Sequence, residues 1–306
     1  MSSEQKQIRG SNNTIYQYKE SDQLGSGSFA SVFKGTNNDN GQEVAIKVIN
    51  RQALKKYGDE IIQAIGDEVN ILQQIALMQK EDPCPFIVKI YDCFQTTNNI
   101  YIVLEYCNQG NLLNVLKQPK YSKGIPEQEA IRIFFQIVSS IYYLSKYDIV
   151  HRDIKPENIF INNGVYKLGD FGFASQKKLY QTTLGTYPYM APEFFKEPSY
   201  DKLVDVWAVG IMYHEMLFNE LYFMGTSQFD VSQKICNKAY IIKCENLISK
   251  QSQDILKRSI CKDRSLRITA EQLYEHEAFS AIKKDSQILK IIQDSHLSQQ
   301  NLILIG

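Results

Sequence analysis

A short stretch near the start of the chain, LGSGSFASVF at residues 24–33, has the glycine spacing of a loop that can hold phosphate groups. Gly25 and Gly27 would let the backbone approach a ligand closely, while Ala30 replaces the third glycine of the pattern G-x-G-x-x-G. A dinucleotide-binding fingerprint needs a helix directly after its glycines, whereas the β-type run SVFKG follows here. The stretch also lacks the G-x-x-x-x-G-K-[ST] of a Walker loop. The remaining interpretation is a β-hairpin whose backbone N–H groups cover phosphate oxygens.

Such a hairpin predicts a lysine on the next strand, because phosphate oxygens need a cation nearby. The sequence supplies Lys47 at the end of the run VAIK. Alternate side chains of a strand share a face, so Ala45 and Lys47 should point the same way. The glycine loop alone is weak evidence for a phosphate site, and its combination with this lysine is more specific.

The surrounding pattern divides into a β-rich first part and a mainly helical second part. Four β-type runs lie between Thr14 and Tyr106, namely SVFKG, EVAIKVI, FIVKIYDCF and NIYIVLEY. The NNDNG segment predicts that the first two runs are antiparallel neighbours. Apolar residues at three-to-four spacing predict one helix in the first part, over 59–78. The second part has helical patterns over 128–146, 204–218, 252–260 and 270–276, and in the tail after 278.

The composition excludes several classes of protein. The 306 residues are 43% hydrophobic and 11% aromatic, which excludes a wholly disordered chain. Lys plus Arg and Asp plus Glu are equal at 34 each, so the charge does not indicate a nucleic-acid partner. No apolar run is long enough for an integral membrane segment. Six cysteines without a C-x-x-C pair, together with four scattered histidines, predict free thiols, no metal site of Cys and His ligands, and a cytoplasmic protein.

Five further motifs occur in a fixed order along the chain. They are HRDIKPEN (151–158), DFG (170–172), APE (191–193), DVWAVG (205–210) and DRSLRI (263–268). With the glycine loop and VAIK, these motifs make the chain resemble the eukaryotic-type serine/threonine protein kinases.

The resemblance implies an α+β fold with two lobes. A small antiparallel-sheet lobe with the family's helix C would cover 14–106, and a larger, mainly helical lobe would cover 107–280. We expect residues 1–13 to be disordered and residues 281–306 to form a helical tail. The implied activity is transfer of the γ-phosphate of ATP, with Mg²⁺, to Ser or Thr hydroxyls of protein substrates. A regulatory partner is expected at helix C or at the tail.

The resemblance also implies roles for five side chains of the helical lobe. Asp153 would orient the substrate hydroxyl and accept its proton, and Lys155 would contact the transferred phosphate. Asn158 and Asp170 would offer oxygen ligands to Mg²⁺. Thr186 would hydrogen-bond Asp153 and Lys155.

In the small lobe, Lys47 would contact the ATP phosphates and pair with a carboxylate. Glu68 is the preferred partner, and Glu60, two turns earlier on the helix, is the alternative. The nucleotide would further contact the glycine loop, the neighbouring strands, the connection between the lobes and one residue beyond it, that is, Leu24, Gly25, Ser26, Gly27, Ser28, Phe29, Ala30, Val32, Ala45, Leu104, Glu105, Cys107 and Phe160.

The segment between DFG and APE carries the expected switch. Thr182 and Thr183 lie at about the phosphorylation position of the family, and Arg152 could bind a phosphorylated residue there. The alternative is that these threonines are ordinary polar loop residues. Glu193 and Arg267 should form a buried ion pair that fixes the end of the segment.

Within the kinases, the chain most resembles the autophagy-initiating branch, through GSFASVFKG, VAIKVINRQALKK, IYIVLEYCNQGNL and DFGFA. The calcium/calmodulin-type kinases are the alternative branch. Glu157 and Glu215 match positions at which some kinases bind a substrate arginine. A pseudokinase scaffold is disfavoured because every residue required for catalysis is present. A small-molecule or lipid kinase is disfavoured by the APE motif and its Arg267 partner.

Overall fold

The computed structural model describes residues 4–11, 13–27, 30–54, 59–172, 174, 186–197 and 199–303, and the side chains of these residues except 54, 59–61, 64 and 298–303. The chain forms two compact units. The first contains Met1–Pro83 and Val88–Asn108, and the second contains Cys84–Ile87 and Gln109–Gly306. Cys84–Ile87, which the sequence placed in the first lobe, belong to the second unit. The reason is a bond from the N–H of Leu168 to the carbonyl of Phe86, at 2.8 Å.

The first unit is built on a six-stranded antiparallel sheet. Its order is β1-β2-β3-β4-β6-β5. The antiparallel pairing of β3 with β4, predicted from NNDNG, is confirmed. The run FIVKIYDCF forms a strand only in its second half, where it pairs with β6. The strands are β1 (Gln5–Arg9), β2 (Ile15–Ser26), β3 (Ala30–Asn37), β4 (Glu43–Asn50), β5 (Ile90–Gln95) and β6 (Asn99–Glu105).

The prediction that residues 1–13 are disordered is wrong for Gln5–Arg9. These residues form β1, which pairs with β2 along its whole length. Ile8 is the one partly buried residue of β1, and it packs against a core cluster that includes Tyr16 and Tyr18. One apolar residue in five gives no detectable alternation, so the sequence pattern could not show this edge strand.

The helix predicted over 59–78 is present as α2 (Asp59–Glu81) and continues for three more residues. It follows the short α1 (Arg51–Leu54). Leu72 and Ile75 of α2 are buried, and α2 packs on β5. The core cluster lies on the sheet face of Val44 and Ile46, which alternation places opposite the Lys47 side chain.

The second unit is mainly helical, as predicted, with one two-stranded hairpin of β7 (Ile159–Asn162) and β8 (Val165–Leu168). Four of the predicted helices are present with ends shifted by one or two residues. The helix predicted over 252–260 begins earlier, at Lys250, because the side chain of the N-cap residue Ser249 accepts the N–H of Ser252. The helices are α3 (Leu112–Leu116), α4 (Glu127–Lys146), α5 (Glu193–Lys196), α6 (Leu203–Phe218), α7 (Gln228–Asn237), α8 (Lys250–Ser259), α9 (Ala270–Tyr274) and α10 (Ser286–Ile303).

Helix α6 forms the centre of the second unit. Its residues from Val204 to Leu217 are all buried, including Trp207 and Tyr213, and it packs against α4 and α8. A helix that is apolar on every side belongs in the middle of a core. Asp205 is the acidic residue in its first turn, and its carboxylate accepts the backbone N–H groups of His151 and Arg152.

The C-terminal helix α10 is attached to α4. Arg132 donates to Asp285 Oδ2 at 2.9 Å, and Ile288 is buried. Within the described part of the chain, no helix is both long enough and apolar enough to cross a bilayer.

Candidate active site

In the first unit, the central feature of the candidate site is the ion pair between Lys47 and Glu68. Lys47 lies on β4 and Glu68 on α2, and Lys47 Nζ is 2.6 Å from Glu68 Oε1. The two side chains are 18% and 8% exposed. Because the carboxylate is buried, it fixes the direction of the long lysine side chain at a partly open site. The side chain of Glu60, the alternative partner, lies outside the described residues.

Three residues expected to contact the nucleotide share a sheet face with Lys47. Val32 is the β3 neighbour of Lys47, and Leu104 of β6 pairs with Ala45 of β4. Alternation along β4 places Ala45 and Lys47 on one face, so their cross-strand partners lie there too. The sheet therefore presents an apolar surface next to the Lys47 ammonium. Glu105 ends β6, and Cys107 follows it, half-buried.

The glycine loop joins β2 to β3, as predicted from SVFKG. Leu24, Gly25 and Ser26 end β2, Ala30 begins β3, and the N–H of Gly27 donates to the carbonyl of Ala30 at 2.8 Å. Among the described residues, no heavy atom lies within 4 Å of a Cβ built on Gly25. Packing within the described chain therefore does not require glycine there, which is consistent with approach by a ligand. Ser28 and Phe29 lie outside the described residues.

In the second unit, hydrogen bonds converge on the buried carboxylate of Asp153. Lys155 Nζ is 2.7 Å from Oδ2. The Thr186 hydroxyl donates to Oδ1 at 3.0 Å, and the Thr186 N–H donates to it at 3.1 Å. Asn158 Nδ2 donates to Oδ2 at 3.0 Å, and Lys155 Nζ also donates to Thr186 Oγ1 at 2.9 Å. Both oxygens of Asp153 are therefore held in a fixed orientation beside a positive charge.

Asp205 of α6 positions the loop that carries Asp153. Its two carboxylate oxygens accept the backbone N–H groups of His151 and Arg152, at 2.7 and 2.9 Å. Arg152 has φ 69°, a left-handed conformation that costs a non-glycine residue on the order of 1–3 kcal/mol. The charge-assisted bonds to Asp205 offset this cost. Burial raises the pKa of Asp205, and the neighbouring His151 and the two N–H groups oppose this shift.

The donor set of the second unit fits Mg²⁺. The amide nitrogen of Asn158 donates hydrogen bonds to Asp153, so the amide oxygen is the atom of this side chain that could bind a cation. The carboxylate of Asp170 is exposed, and Asp170 is also left-handed, at φ 58°. The N–H of Gly169 donates to the Asn158 carbonyl at 3.0 Å and so ties the two segments together. Among the described residues, no three His, Cys, Asp or Glu side chains form a metal site, and Mg²⁺ commonly binds through one or two protein oxygens plus substrate phosphates.

The remaining predicted residues of the second unit have separate locations. Phe160 lies half-buried on β7. Thr182 and Thr183 lie outside the described residues. The Arg152 side chain is buried, and its Nη1 donates to the Tyr200 hydroxyl at 3.3 Å.

The predicted ion pair between Glu193 and Arg267 is present. It is bidentate, with Nη1–Oε1 at 2.6 Å and Nη2–Oε2 at 3.0 Å. Arg267 also donates to the carbonyls of Cys261 and Leu203. Every side-chain nitrogen and oxygen of the pair therefore has a hydrogen-bond partner within the core.

Sequence reasoning identified Glu157 and Glu215 but missed Tyr189, which lies in the same polar cluster near Thr186. Tyr189 donates its hydroxyl to Glu215 Oε2 at 2.6 Å. Glu157 Oε2 is buried and has no hydrogen-bond partner among the described residues. Burial raises the pKa of Glu215, the hydrogen bond from Tyr189 opposes this shift, and the charge of Glu157 adds to it. The sequence signal that could have found Tyr189 is the aromatic hydroxyl immediately before M-A-P-E.

Comparison with known proteins agrees with this geometry. Residues 18–279 match the protein kinase domain family. The chain is 32% identical over 264 residues to CBL-interacting protein kinase 10 of Oryza sativa subsp. japonica, covering 84% of this chain and 55% of that protein. It is 31% identical over 272 residues to myosin light chain kinase A of Dictyostelium discoideum, covering 86% of this chain and 87% of that protein. It is 29% identical over 293 residues to serine/threonine-protein kinase PLK4 of Xenopus laevis, covering 92% of this chain and 29% of that protein.

The matched region is only part of several of these relatives. The chain spans about half the length of several curated relatives that it matches. The family match covers the glycine loop, Lys47, the Asp153 loop and Arg267, and the α+β, two-lobed fold expected from these motifs is confirmed. The chain therefore belongs to the eukaryotic-type protein kinase domain family, with relatives among its serine/threonine kinases.

Proposed function

We propose that the chain is an ATP- and Mg²⁺-dependent kinase that phosphorylates Ser and Thr hydroxyls of protein substrates. The observation that carries this proposal is the cluster at Asp153, whose carboxylate accepts hydrogen bonds from Lys155, Thr186 and Asn158. A buried carboxylate held by both oxygens can orient a hydroxyl nucleophile and take its proton.

In the proposed reaction, the substrate hydroxyl oxygen bonds to the γ-phosphorus of ATP while the bond to the β–γ bridging oxygen breaks. Asp153 receives the hydroxyl proton, and ADP leaves. Lys155 lies 2.7 Å from Asp153 Oδ2, so its ammonium would stabilise the negative charge that spreads over the transferred group. Thr186 bonds both residues and therefore acts as a positioning residue for them.

For the nucleotide, we assign the phosphates to the backbone at Gly25 and Gly27 and to the ammonium of Lys47, which Glu68 orients. We assign Mg²⁺ to Asn158 and Asp170, where it would supply countercharge for the phosphate oxygens. Further nucleotide contacts are proposed for Leu24, Ser26, Ala30, Val32, Ala45, Leu104, Glu105, Cys107 and Phe160, and for Ser28 and Phe29 outside the described residues.

The acidic pair Glu157 and Glu215 supports a preference for substrates with a cationic side chain near the acceptor. A buried carboxylate oxygen without a partner among the described residues is costly, and an arginine from a substrate would relieve that cost. We expect an upstream arginine to lower the KM of a peptide about tenfold. Glu215→Gln should abolish the difference between arginine and alanine peptides, and an unchanged difference would refute the assignment.

We also propose how the kinase is regulated and to which branch of the kinases it belongs. We propose that phosphorylation of Thr182 or Thr183 recruits Arg152 and raises activity, that the chain acts in the cytoplasm, and that a regulatory partner binds α2 or α10. The motifs GSFASVFKG and DFGFA support an autophagy-initiating kinase. The similarity to myosin light chain kinase A, which covers most of that protein, is consistent with the calcium/calmodulin-type alternative. Identification of the proteins that co-purify with the kinase from its source cell distinguishes the two branches.

The kinase proposal is tested with purified protein, radiolabelled ATP, Mg²⁺ and myelin basic protein as a generic acceptor. Wild-type protein should label the acceptor, whereas Asp153→Ala and an EDTA-treated sample should not. Equal labelling by wild type and Asp153→Ala would refute it. Nucleotide binding without any transfer by wild type would identify a pseudokinase instead.

A further inference from the structure

Ser11 fastens the turn between β1 and β2 to β5, a strand at the other end of the sheet order. Its N–H donates to Asp92 Oδ2 at 3.0 Å, and its hydroxyl donates to Asp92 Oδ1 at 2.5 Å. The two residues are 81 positions apart, so this contact determines where the N-terminal hairpin lies on the sheet.

The acceptor of these bonds is a buried negative charge. Asp92 is 8% exposed, and it also accepts the N–H of Cys93 at 2.8 Å. Among the described residues, no Lys, Arg or His forms a salt bridge with Asp92. Burial and then the charge of Asp92 raise the pKa of Tyr16 to about 12.

The turn has no space for a larger group between Ser11 and Asp92. A Cβ on Gly10 would lie 2.2 Å from Asp92 Oδ2 and 2.9 Å from the Tyr16 ring, so the backbone packs directly on the carboxylate. Ser11 itself is an exposed residue of the turn, although its hydroxyl is bonded to Asp92. Arg9, two residues earlier, is also exposed and would present a cation to the acidic pair Glu157 and Glu215 of a second molecule.

We propose that Ser11 is a phosphorylation site modified in trans by a second copy of this kinase, and that its phosphorylation detaches the β1–β2 turn from β5. The inference rests on the proposed kinase function. Ser11 Oγ bonds to the γ-phosphorus of ATP, its proton passes to Asp153 of the second copy, and the bridging oxygen leaves with ADP. The phosphoserine carries a charge of about −1.5 to −2, and its ester oxygen Oγ has no hydrogen to donate to Asp92, so repulsion from the buried carboxylate replaces the bond from the hydroxyl.

The modification is tested with tagged wild-type enzyme and untagged Asp153→Ala protein as the inactive acceptor, with ATP and Mg²⁺. Trypsin releases residues 10–19 as one peptide, which contains Ser11 and Thr14. We expect phosphate on this peptide in Asp153→Ala and in Asp153→Ala/Thr14→Ala, and none in Asp153→Ala/Ser11→Ala. Myelin basic protein is labelled in parallel. Its labelling without phosphate on Ser11 overturns this inference and leaves the kinase function intact, whereas labelling of neither overturns both.

The release of the turn is tested by hydrogen exchange of the β1 amides, Gln5–Arg9. Ser11→Ala removes one hydrogen bond, and Ser11→Glu adds a charge as well. We expect exchange in Ser11→Glu to be about tenfold faster than in Ser11→Ala, because like charges are placed beside a buried carboxylate. Asp92→Asn should remove most of that difference. Equal exchange in Ser11→Glu and Ser11→Ala, or a difference that persists with Asp92→Asn, would overturn the release.

Discussion

The two units each contain an ion pair between a basic residue and a buried glutamate, and the two pairs differ in geometry. Lys47 Nζ lies 2.6 Å from Glu68 Oε1, and the lysine side chain is 18% exposed. Arg267 makes two contacts with Glu193, at 2.6 and 3.0 Å, and the two side chains are 0% and 1% exposed. The first pair orients a positive charge at a partly open site, whereas the second is enclosed and fully matched.

This difference separates catalysis from stability. A lysine is a compact point charge on a flexible stem, which suits a group that must meet phosphate oxygens. A guanidinium bound to a carboxylate and two backbone carbonyls joins the segments of Cys261, Leu203 and Glu193. Loss of the lysine should therefore reduce turnover, and loss of the arginine should reduce the free energy of unfolding.

The largest expected effect is that of Arg267→Ala on stability. It leaves the Glu193 carboxylate buried without a partner, which should lower the free energy of unfolding by about 3–5 kcal/mol. The measurement is urea unfolding followed by circular dichroism. The control is Arg264→Ala, which removes a partly exposed arginine that bridges Glu197 and Asp201 and should cost about 1 kcal/mol or less. Equal losses in the two variants would contradict the distinction.

The next effect is that of Lys47→Met on catalysis. Removal of the charge that we propose to stabilise the phosphates should lower kcat/KM about 10²–10³-fold, with a smaller loss of unfolding free energy than Arg267→Ala causes, because the Lys47–Glu68 pair is partly open. Steady-state labelling of myelin basic protein and urea unfolding measure the two quantities. Lys34→Met is the matched control, because Lys34 on the neighbouring strand pairs with Glu43 at the surface. A Lys47→Met protein that unfolds easily and keeps its kcat/KM would reverse the assignment.

A smaller effect concerns pH and a second buried polar group of the helical unit, His214. Burial, and then the charge of Lys243, lower its pKa from 6.5 to about 4, and its Nδ1 bonds the Tyr240 hydroxyl. The unfolded chain binds a proton near pH 6.5 that the folded chain does not, so stability should fall as pH decreases from about 6.5 towards 4.

At pH 5 the expected contribution of His214 is a loss of about 2 kcal/mol relative to pH 7. Glu220 Oε1 lies 3.9 Å from His214 Nε2, and its negative charge would reduce this loss by stabilising the protonated ring. His214→Phe, which keeps an aromatic ring in contact with Phe218 and Tyr222, should show a smaller decrease in unfolding free energy between pH 7 and pH 5. An identical decrease in wild type and variant would exclude this histidine as the cause.

The smallest expected effect is that of Thr186→Ala. It removes one hydroxyl that bonds both Asp153 and Lys155, and it should lower kcat about tenfold with little change in KM. Thr186→Ser keeps the hydroxyl and should restore most of the rate. Steady-state kinetics with a Ser peptide decides the matter, and a serine variant as slow as the alanine variant would exclude the hydroxyl as the positioning group.

Much of the fold and of the candidate site could be predicted from local patterns. The spacing of glycines and VAIK indicated a hairpin and a strand lysine, and apolar periodicity indicated α2, α4, α6, α8 and α9. The order of the motifs led us to expect Asp153, Lys155 and Thr186 in one site, although Thr186 is more than thirty residues from Asp153 along the chain.

What could not be predicted depends on distant contacts. The left-handed backbone of Arg152 is stabilised by Asp205, which is 53 residues away, and no local residue preference indicates it. Strand β1 depends on pairing with β2 and on the Ser11–Asp92 contact, so its own polar sequence gave no signal. The Tyr189–Glu215 bond likewise joins α6 to a segment 26 residues away.

The most direct test of the proposed catalytic role of Asp153 is a single-turnover measurement of phosphoryl transfer with Asp153→Asn. Asparagine has nearly the same shape, and its amide oxygen can keep the bonds from Thr186, but its amide nitrogen cannot accept from Asn158 or Lys155, and the amide cannot take the hydroxyl proton. We predict a transfer rate at least about 10²-fold below wild type in protein that circular dichroism shows to be folded at the assay temperature. A folded Asp153→Asn protein that transfers phosphate at the wild-type rate would contradict the assignment of Asp153 as the catalytic base.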